Sequence, residues 1–196
     1  TAWDMQRDLL QMQLKQLEQE ESAEFCDTVL FLQHEPVFTL GTASDPSFIL
    51  SNHHHAGNDV PVVRMDRGGE VTYHGPGQLI IYPILNLRNY KTDIHWYMRA
   101  LEEVVIRSLR RAGVTATREE GVTGVWVDNC KVAAVGVKCK RWITQHGVAI
   151  NVKSQCLENF EKIVPCGLEG RRVGCIEQFA PDITMSRMTS YVKQAM

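Results

Sequence analysis

Nowhere in its 196 residues does the chain carry an apolar run long enough to span a bilayer. Its start, Thr1-Ala2-Trp3-Asp4, lacks the charged-then-apolar pattern of a secretory signal. A soluble protein with no membrane partner is expected. No Cys-x-x-Cys pair occurs among the six cysteines, at 26, 130, 139, 156, 166 and 175. That argues against a zinc ribbon or a disulfide framework and for reduced thiols in a cytosol-like compartment. Charge of one sign is not in excess either: the net charge is -2, spread along the chain, so no nucleic-acid footprint and no charged disordered tail is expected. Internal repeats and low-complexity segments are missing. So is an initial methionine, and the expectation is that an N-terminal strand or targeting peptide precedes Thr1 in a longer protein, which leaves a mitochondrial or plastid matrix open beside the cytoplasm.

The chain has enough apolar residues, 44%, to bury a sizeable core as one domain over residues 1–196. Residues 3–19 read as a polar-rich surface helix, and residues 93–112 as the clearest helix, with Tyr97, Leu101, Val105 and Leu109 at helical spacing, Thr92 as cap and Gly113 as stop. Short strands are expected at 28–32, 36–41, 61–65 and 79–87, the last two pairing with each other, and Pro83 marking an edge or a bulge. Asp128-Asn129 reads as the turn of a hairpin joining 125–127 to 131–137, and a further strand covers 143–152. Helical character returns near 157–163 and from Thr184 onward. Hairpin strands interrupted by a few helices give an α+β class, a mostly antiparallel sheet packed with helices.

The densest glycine segment is Arg67-Gly68-Gly69-Glu70-Val71-Thr72-Tyr73-His74-Gly75-Pro76-Gly77-Gln78. Glycines there allow close approach of the backbone to a ligand, and the lack of a lysine-serine ending and of a following helix argues against a phosphate cradle. Cys166, between Pro165 and Gly167, sits where a nucleophile is displayed on a turn, with a buried loop thiol as the alternative. Lys131 opens a strand whose regular alternation would put it on the side of Ala133, Val135 and Val137, and Gly136 removes a side chain from that strand. His74 and His146 could each be the general base of a Cys-His pair or a structural hydrogen-bonding residue, and only the motifs read together favour a structural or substrate-orienting role. His53-His54-His55 reads as a solvated loop, and no metal site is expected.

Taken together, His34-Glu35-Pro36-Val37-Phe38-Thr39-Leu40-Gly41, the segment from Arg67 to Gln78, Lys131-Val132-Ala133-Ala134-Val135-Gly136, His146-Gly147-Val148-Ala149-Ile150-Asn151 and Pro165-Cys166-Gly167 resemble the lipoyl(octanoyl) transferase family, in order from about residue 27 to 180. The resemblance implies the biotin and lipoate protein ligase fold. It implies an enzyme that moves an octanoyl chain from octanoyl-acyl carrier protein to a lysine on the lipoyl domains of 2-oxoacid dehydrogenase complexes or on the glycine cleavage H protein, with no cofactor, as a monomer. By the same resemblance Cys166 carries the acyl chain as a thioester and Lys131 is its acid/base partner. Arg67, Gly68, Gly69, Glu70, Val71, Thr72, Tyr73 and His74, with Ala134, Val135, Gly136, Gly147, Val148 and Ala149, would line the acyl site. An apolar slot for an eight-carbon chain contributes about 0.8 kcal/mol per buried methylene before ordering costs.

Three rivals remain at this point. An ATP-dependent lipoate or biotin ligase of the same superfamily needs a lysine near Lys131 but no cysteine, a non-catalytic acyl-binding module would have no use for Cys166, and a generic Cys-His hydrolase would leave Lys131 and the long glycine segment without a role.

Overall fold

All seven residues of strand β5 (Gln78–Ile84) are buried. Both of its faces are covered: Leu79 and Ile81 enter one apolar cluster, Ile80, Tyr82 and Ile84 another. That is why the sequence runs apolar through Leu79-Ile80-Ile81-Tyr82 instead of alternating. The computed structural model describes residues 1–18, 26–50, 60–163 and 172–196. With strands numbered in chain order, β1 (Thr28–Leu32), β5, β9 (Ile143–Asn151), β8 (Cys130–Lys140), β7 (Val122–Val127) and β6 (Thr117–Glu119) lie side by side in that order, every neighbouring pair antiparallel. The short β10 (Arg172–Val173) joins the start of β8 in parallel. A second sheet of three strands places β2 (Val37–Leu40) between β3 (Val62–Arg64) and β4 (Val71–His74).

Helices α2 (Ile94–Arg111) and α3 (Met185–Ala195) cover one face of the large sheet, where Leu101, Val105 and Leu109 of α2 and Met188 and Val192 of α3 meet Val125, Val148 and Ile150. Each such fully buried aliphatic side chain contributes roughly 1.5–3 kcal/mol. The other face carries α1 (Ala2–Glu18), through Leu10 and Leu14. The stop of α2 is a Schellman turn: Gly113 takes φ 77°, its N–H donates to the Arg110 carbonyl, and the Val114 N–H returns to Leu109. The helix start differs from the expected one. Asp93, not Thr92, caps it, accepting from the Trp96 N–H at 2.9 Å.

The expected pairing of 61–65 with 79–87 is also corrected. Residues 71–74 between them form β4, which pairs with β2 and carries β3 along into the small sheet, whereas β5 pairs with β1 and β9. Pro83 sits where β9 steps away from β5: ladder pairing stops at Ile81 opposite Val148, and a Cβ on Gly147 would lie 2.7 Å from Pro83 Cδ. The Asp128-Asn129 turn is as expected, both residues at positive φ as the tight hairpin turn requires.

Candidate active site

Between the small sheet and the large-sheet face that shows Ile80, Tyr82 and Ala149 lies a cavity of about 430 Å³. The floor is β8 and β9, where Ala134 stands opposite Ala149 and Gly136 opposite Gly147, small side chains that leave a slot rather than filling it. The roof is the segment from Arg67 to Thr72, with His74. Of the fourteen residues expected to line the acyl site, Tyr73 is the exception. Its ring turns away to pack on Phe38 and Phe160 in the small sheet's own core, as alternation along β4 requires with His74 facing the cavity.

The roof is held by protein contacts, and glycines facing it make room for these. Arg67 is buried, and its guanidinium donates to the Thr39 carbonyl at 2.9 Å, to Thr39 Oγ1 at 2.7 Å and to the Gly68 carbonyl at 3.0 Å. The Gly68 N–H donates to Val137 at 2.9 Å, and a Cβ on Gly136 would stand 3.2 Å from the Gly68 oxygen. A Cβ on Gly41 would meet the Gly69 oxygen at 2.1 Å. Glycine at 41 and 136 thus lets the Arg67-Gly68-Gly69 backbone lie flat between the two sheets.

Lys131 lines the same cavity, on the side opposite to the expected one. Val125 pairs with Ala133 but Trp126 pairs with Lys131, so β8 holds an extra residue there. Paired residues share a face and successive ones alternate. The bulge therefore turns Lys131 to the side of Trp126, away from Ala133 and the α2 cluster. The Lys131 ammonium lies 5.7 Å from the centre of the Trp126 ring. Val173 of β10 pairs with Lys131 and also lines the cavity, and the Gly174 N–H donates to the Lys131 carbonyl at 3.0 Å.

Three histidines stand around the slot. His74 Nδ1 meets Gln78 Oε1 at 2.7 Å, and burial presses its pKa down to about 3, so the ring is neutral. His34 Nε2 meets the Tyr82 hydroxyl at 2.8 Å. Burial lowers the pKa of His34 and lifts that of the Tyr82 phenol to about 12. His146, at φ 58°, points Nε2 at Asp66 Oδ1 at 2.9 Å, and burial lowers its pKa against the pull of that carboxylate. Burial opposes ionisation of Asp66, but hydrogen bonds from Lys138 and His146 outweigh it and hold its carboxyl below the usual range. Both His74 and His146 are buried and hydrogen-bonded.

Two buried side chains that sequence reasoning did not single out join these parts. Gln78 Nε2 donates to the Tyr73 carbonyl at 3.2 Å and to Asn151 Oδ1 at 2.9 Å, and Asn151 Nδ2 donates to the Gly174 carbonyl at 3.0 Å. The available signal was an amide residue at the start of the apolar β5 and another closing the apolar run 148–150 of β9. Cys166 and His53-His54-His55 lie outside the described residues. The flanks of the Cys166 segment are described: Ile163 packs with Phe38, Val71 and Tyr73, and Arg172 opens β10 beside Lys131. Among the described residues no group of three or more His, Cys, Asp or Glu could hold a metal ion, and no helix is long and apolar enough to cross a membrane.

A family model described as the lipoyl protein ligase A/B catalytic domain matches residues 1–196. An octanoyltransferase of Synechococcus sp. (strain WH7803) is 51% identical over 170 residues, 87% of this chain and 68% of that protein. A chloroplastic octanoyltransferase of Arabidopsis thaliana is 46% identical over 182 residues, 92% of this chain and 63% of that protein, so the chain spans slightly less than two thirds of this relative. Among solved structures, a bi-partite lipoate protein ligase from Thermoplasma acidophilum superposes with a TM-score of 0.68 at 16% identity, covering 92% of this chain and 74% of that one. Lipoate-protein ligase A bound with ATP gives 0.68 at 15% identity, covering 90% and 74%. At such identities these two speak for the fold alone. The chain belongs to the lipoyl protein ligase A/B catalytic domain family, in its octanoyltransferase branch.

Proposed function

We propose that the chain moves an octanoyl group from octanoyl-acyl carrier protein to a lysine of a lipoyl domain, on 2-oxoacid dehydrogenase complexes or the glycine cleavage H protein, through a thioester on Cys166. The observation that carries this reading is the slot itself. Small residues floor it, Lys131 lines it, and the chain that follows Cys166 returns beside Lys131 at Val173. Cys166 is three residues past Ile163, which packs with Phe38, Val71 and Tyr73 of the small sheet.

The chemistry runs without a cofactor. The Lys131 ammonium favours the Cys166 thiolate, which attacks the carrier thioester carbon. As the new carbon–sulfur bond forms and the old one breaks, the carrier thiolate takes a proton from Lys131. The target lysine, with an ordinary pKa of about 10.4, arrives protonated, and neutral Lys131 takes its proton. The freed amine attacks the Cys166 thioester; as the carbon–sulfur bond breaks and the amide forms, the second amine proton passes to solvent, and the Cys166 thiolate leaves beside the again protonated Lys131. Bacterial and chloroplastic relatives, with five described cysteines as free thiols, support a reducing compartment such as cytoplasm or organelle matrix.

The test is acylation of a lipoyl domain with octanoyl-acyl carrier protein and no ATP. Transfer at a rate that ATP does not raise is the expected result. Rapid acylation that needs ATP and free octanoate would instead make the protein a ligase.

A further inference from the structure

Two backbone carbonyls fix the direction of a buried hydrogen-bond chain, and with it the tautomer of His74. A carbonyl only accepts, so Gly174 must face Asn151 Nδ2, at 3.0 Å, and Tyr73 must face Gln78 Nε2, at 3.2 Å. Asn151 then offers Oδ1 to Gln78, at 2.9 Å, and Gln78 has only Oε1 left for His74 Nδ1, at 2.7 Å. Nδ1 therefore carries the proton. Nε2 is left as the acceptor: His74 is 7% exposed, its ring lines the cavity, and Nε2 meets no hydrogen-bond partner among the described residues. A built acceptor in a slot for an acyl thioester needs a donor, and the thioester group and the alkyl chain have none.

We infer that His74 Nε2 receives the amine of the acceptor lysine, with Gln78 and Asn151 as the positioning residues that fix its tautomer; the inference rests on the acyl-transfer reading. A primary amine is the reacting group that brings N–H donors to the slot. With one N–H donated to Nε2, its lone pair is free to face the thioester carbon. His74 orients the amine and does not deprotonate it. Its pKa of about 3 makes it far too weak a base for an ammonium of about 10.4, so that proton goes to Lys131. The chain ends at Gly174, whose N–H holds the Lys131 carbonyl, so the group that orients the amine and the group that deprotonates it share one frame.

Two measurements test this on the intact protein. Nitrogen NMR of histidine-labelled protein is expected to show His74 as the neutral Nδ1–H tautomer, shifted toward Nε2–H in Gln78→Leu; an Nε2–H tautomer in the wild type overturns the inference. In single-turnover assays, His74→Leu is expected to slow octanoyl transfer from the preformed thioester to a lipoyl domain at least tenfold more than it slows acylation of Cys166. Equal slowing of both steps, or greater slowing of acylation, assigns His74 to the donor arm or to the slot wall and overturns the inference while leaving the transferase reading intact. A wild-type protein that forms no thioester removes the transferase reading itself.

Discussion

The side chain of Lys131 crosses the backbone of β7 at Gly124, where a Cβ would stand 2.5 Å from Lys131 Cε and 2.7 Å from the Ala133 carbonyl oxygen. Gly124 also holds φ 138°, in the region that favours glycine. Gly124→Ala should therefore displace the Lys131 ammonium and add roughly 1–3 kcal/mol of backbone strain. Both half-reactions are expected to fall at least tenfold in a protein that still folds, as read by single-turnover rates and circular dichroism.

Lys131→Ala removes the proposed proton carrier while taking little from the core, since Lys131 is only partly buried. General acid–base loss of about 10²–10⁴ in rate is expected in both half-reactions, with a melting temperature close to that of the wild type. Acylation of Cys166 at the normal rate in this variant would show that another group moves the proton.

Behind Gly124 stands a fully buried carboxylate. Glu102 of α2 accepts from the Gly124 N–H at 2.8 Å, from Arg99 at 2.8 Å and from Arg118 at 3.1 Å. Glu102→Ala leaves the buried Gly124 N–H without its acceptor, while Arg118 keeps Glu103 and the Arg99 carbonyl, and should lower the unfolding free energy by about 1–3 kcal/mol. Glu102→Gln, which keeps an acceptor for Gly124, should cost less. Urea unfolding of the two variants checks the order.

Acid should weaken the fold through the buried histidines. His74 has an ordinary pKa of 6.5 and a folded value of about 3. Between these values the unfolded chain binds a proton that the folded one refuses. The stability this gives is fully present above pH 6.5 and is lost as pH falls toward 3, by about 1.4 kcal/mol per pH unit. The lowered pKa values of His34 and His146 act with the same sign. Urea midpoints measured from pH 7 down to pH 4.5 should fall, and fall less in His74→Phe; a flat profile would mean that His74 is charged or exposed.

The sequence shows plainly what local pattern controls. The periodicity of 93–112 and Gly113 mark α2, Asp128-Asn129 marks a hairpin turn, and the run Leu79 to Tyr82 marks a strand. What it hides depends on neighbours. The face of Lys131 is set by a bulge against β7 that regular alternation cannot foresee. The place of β3 is set by β2, because Thr72 and His74 disguise β4 as loop. The glycines at 41 and 136 make room for protein backbone, a purpose visible only once Gly68 and Gly69 lie against them. Gln78 and Asn151 are 73 residues apart, and only the pairing of β5 with β9 brings their amides together.

The most direct test of the acyl-transfer account is the intact mass of the protein after mixing with octanoyl-acyl carrier protein. The account predicts a gain of one octanoyl group on the wild-type chain, absent from Cys166→Ser and discharged when a lipoyl domain is added. A wild-type chain that gains no mass under conditions where the lipoyl domain becomes octanoylated, or an adduct that survives Cys166→Ser, would contradict it.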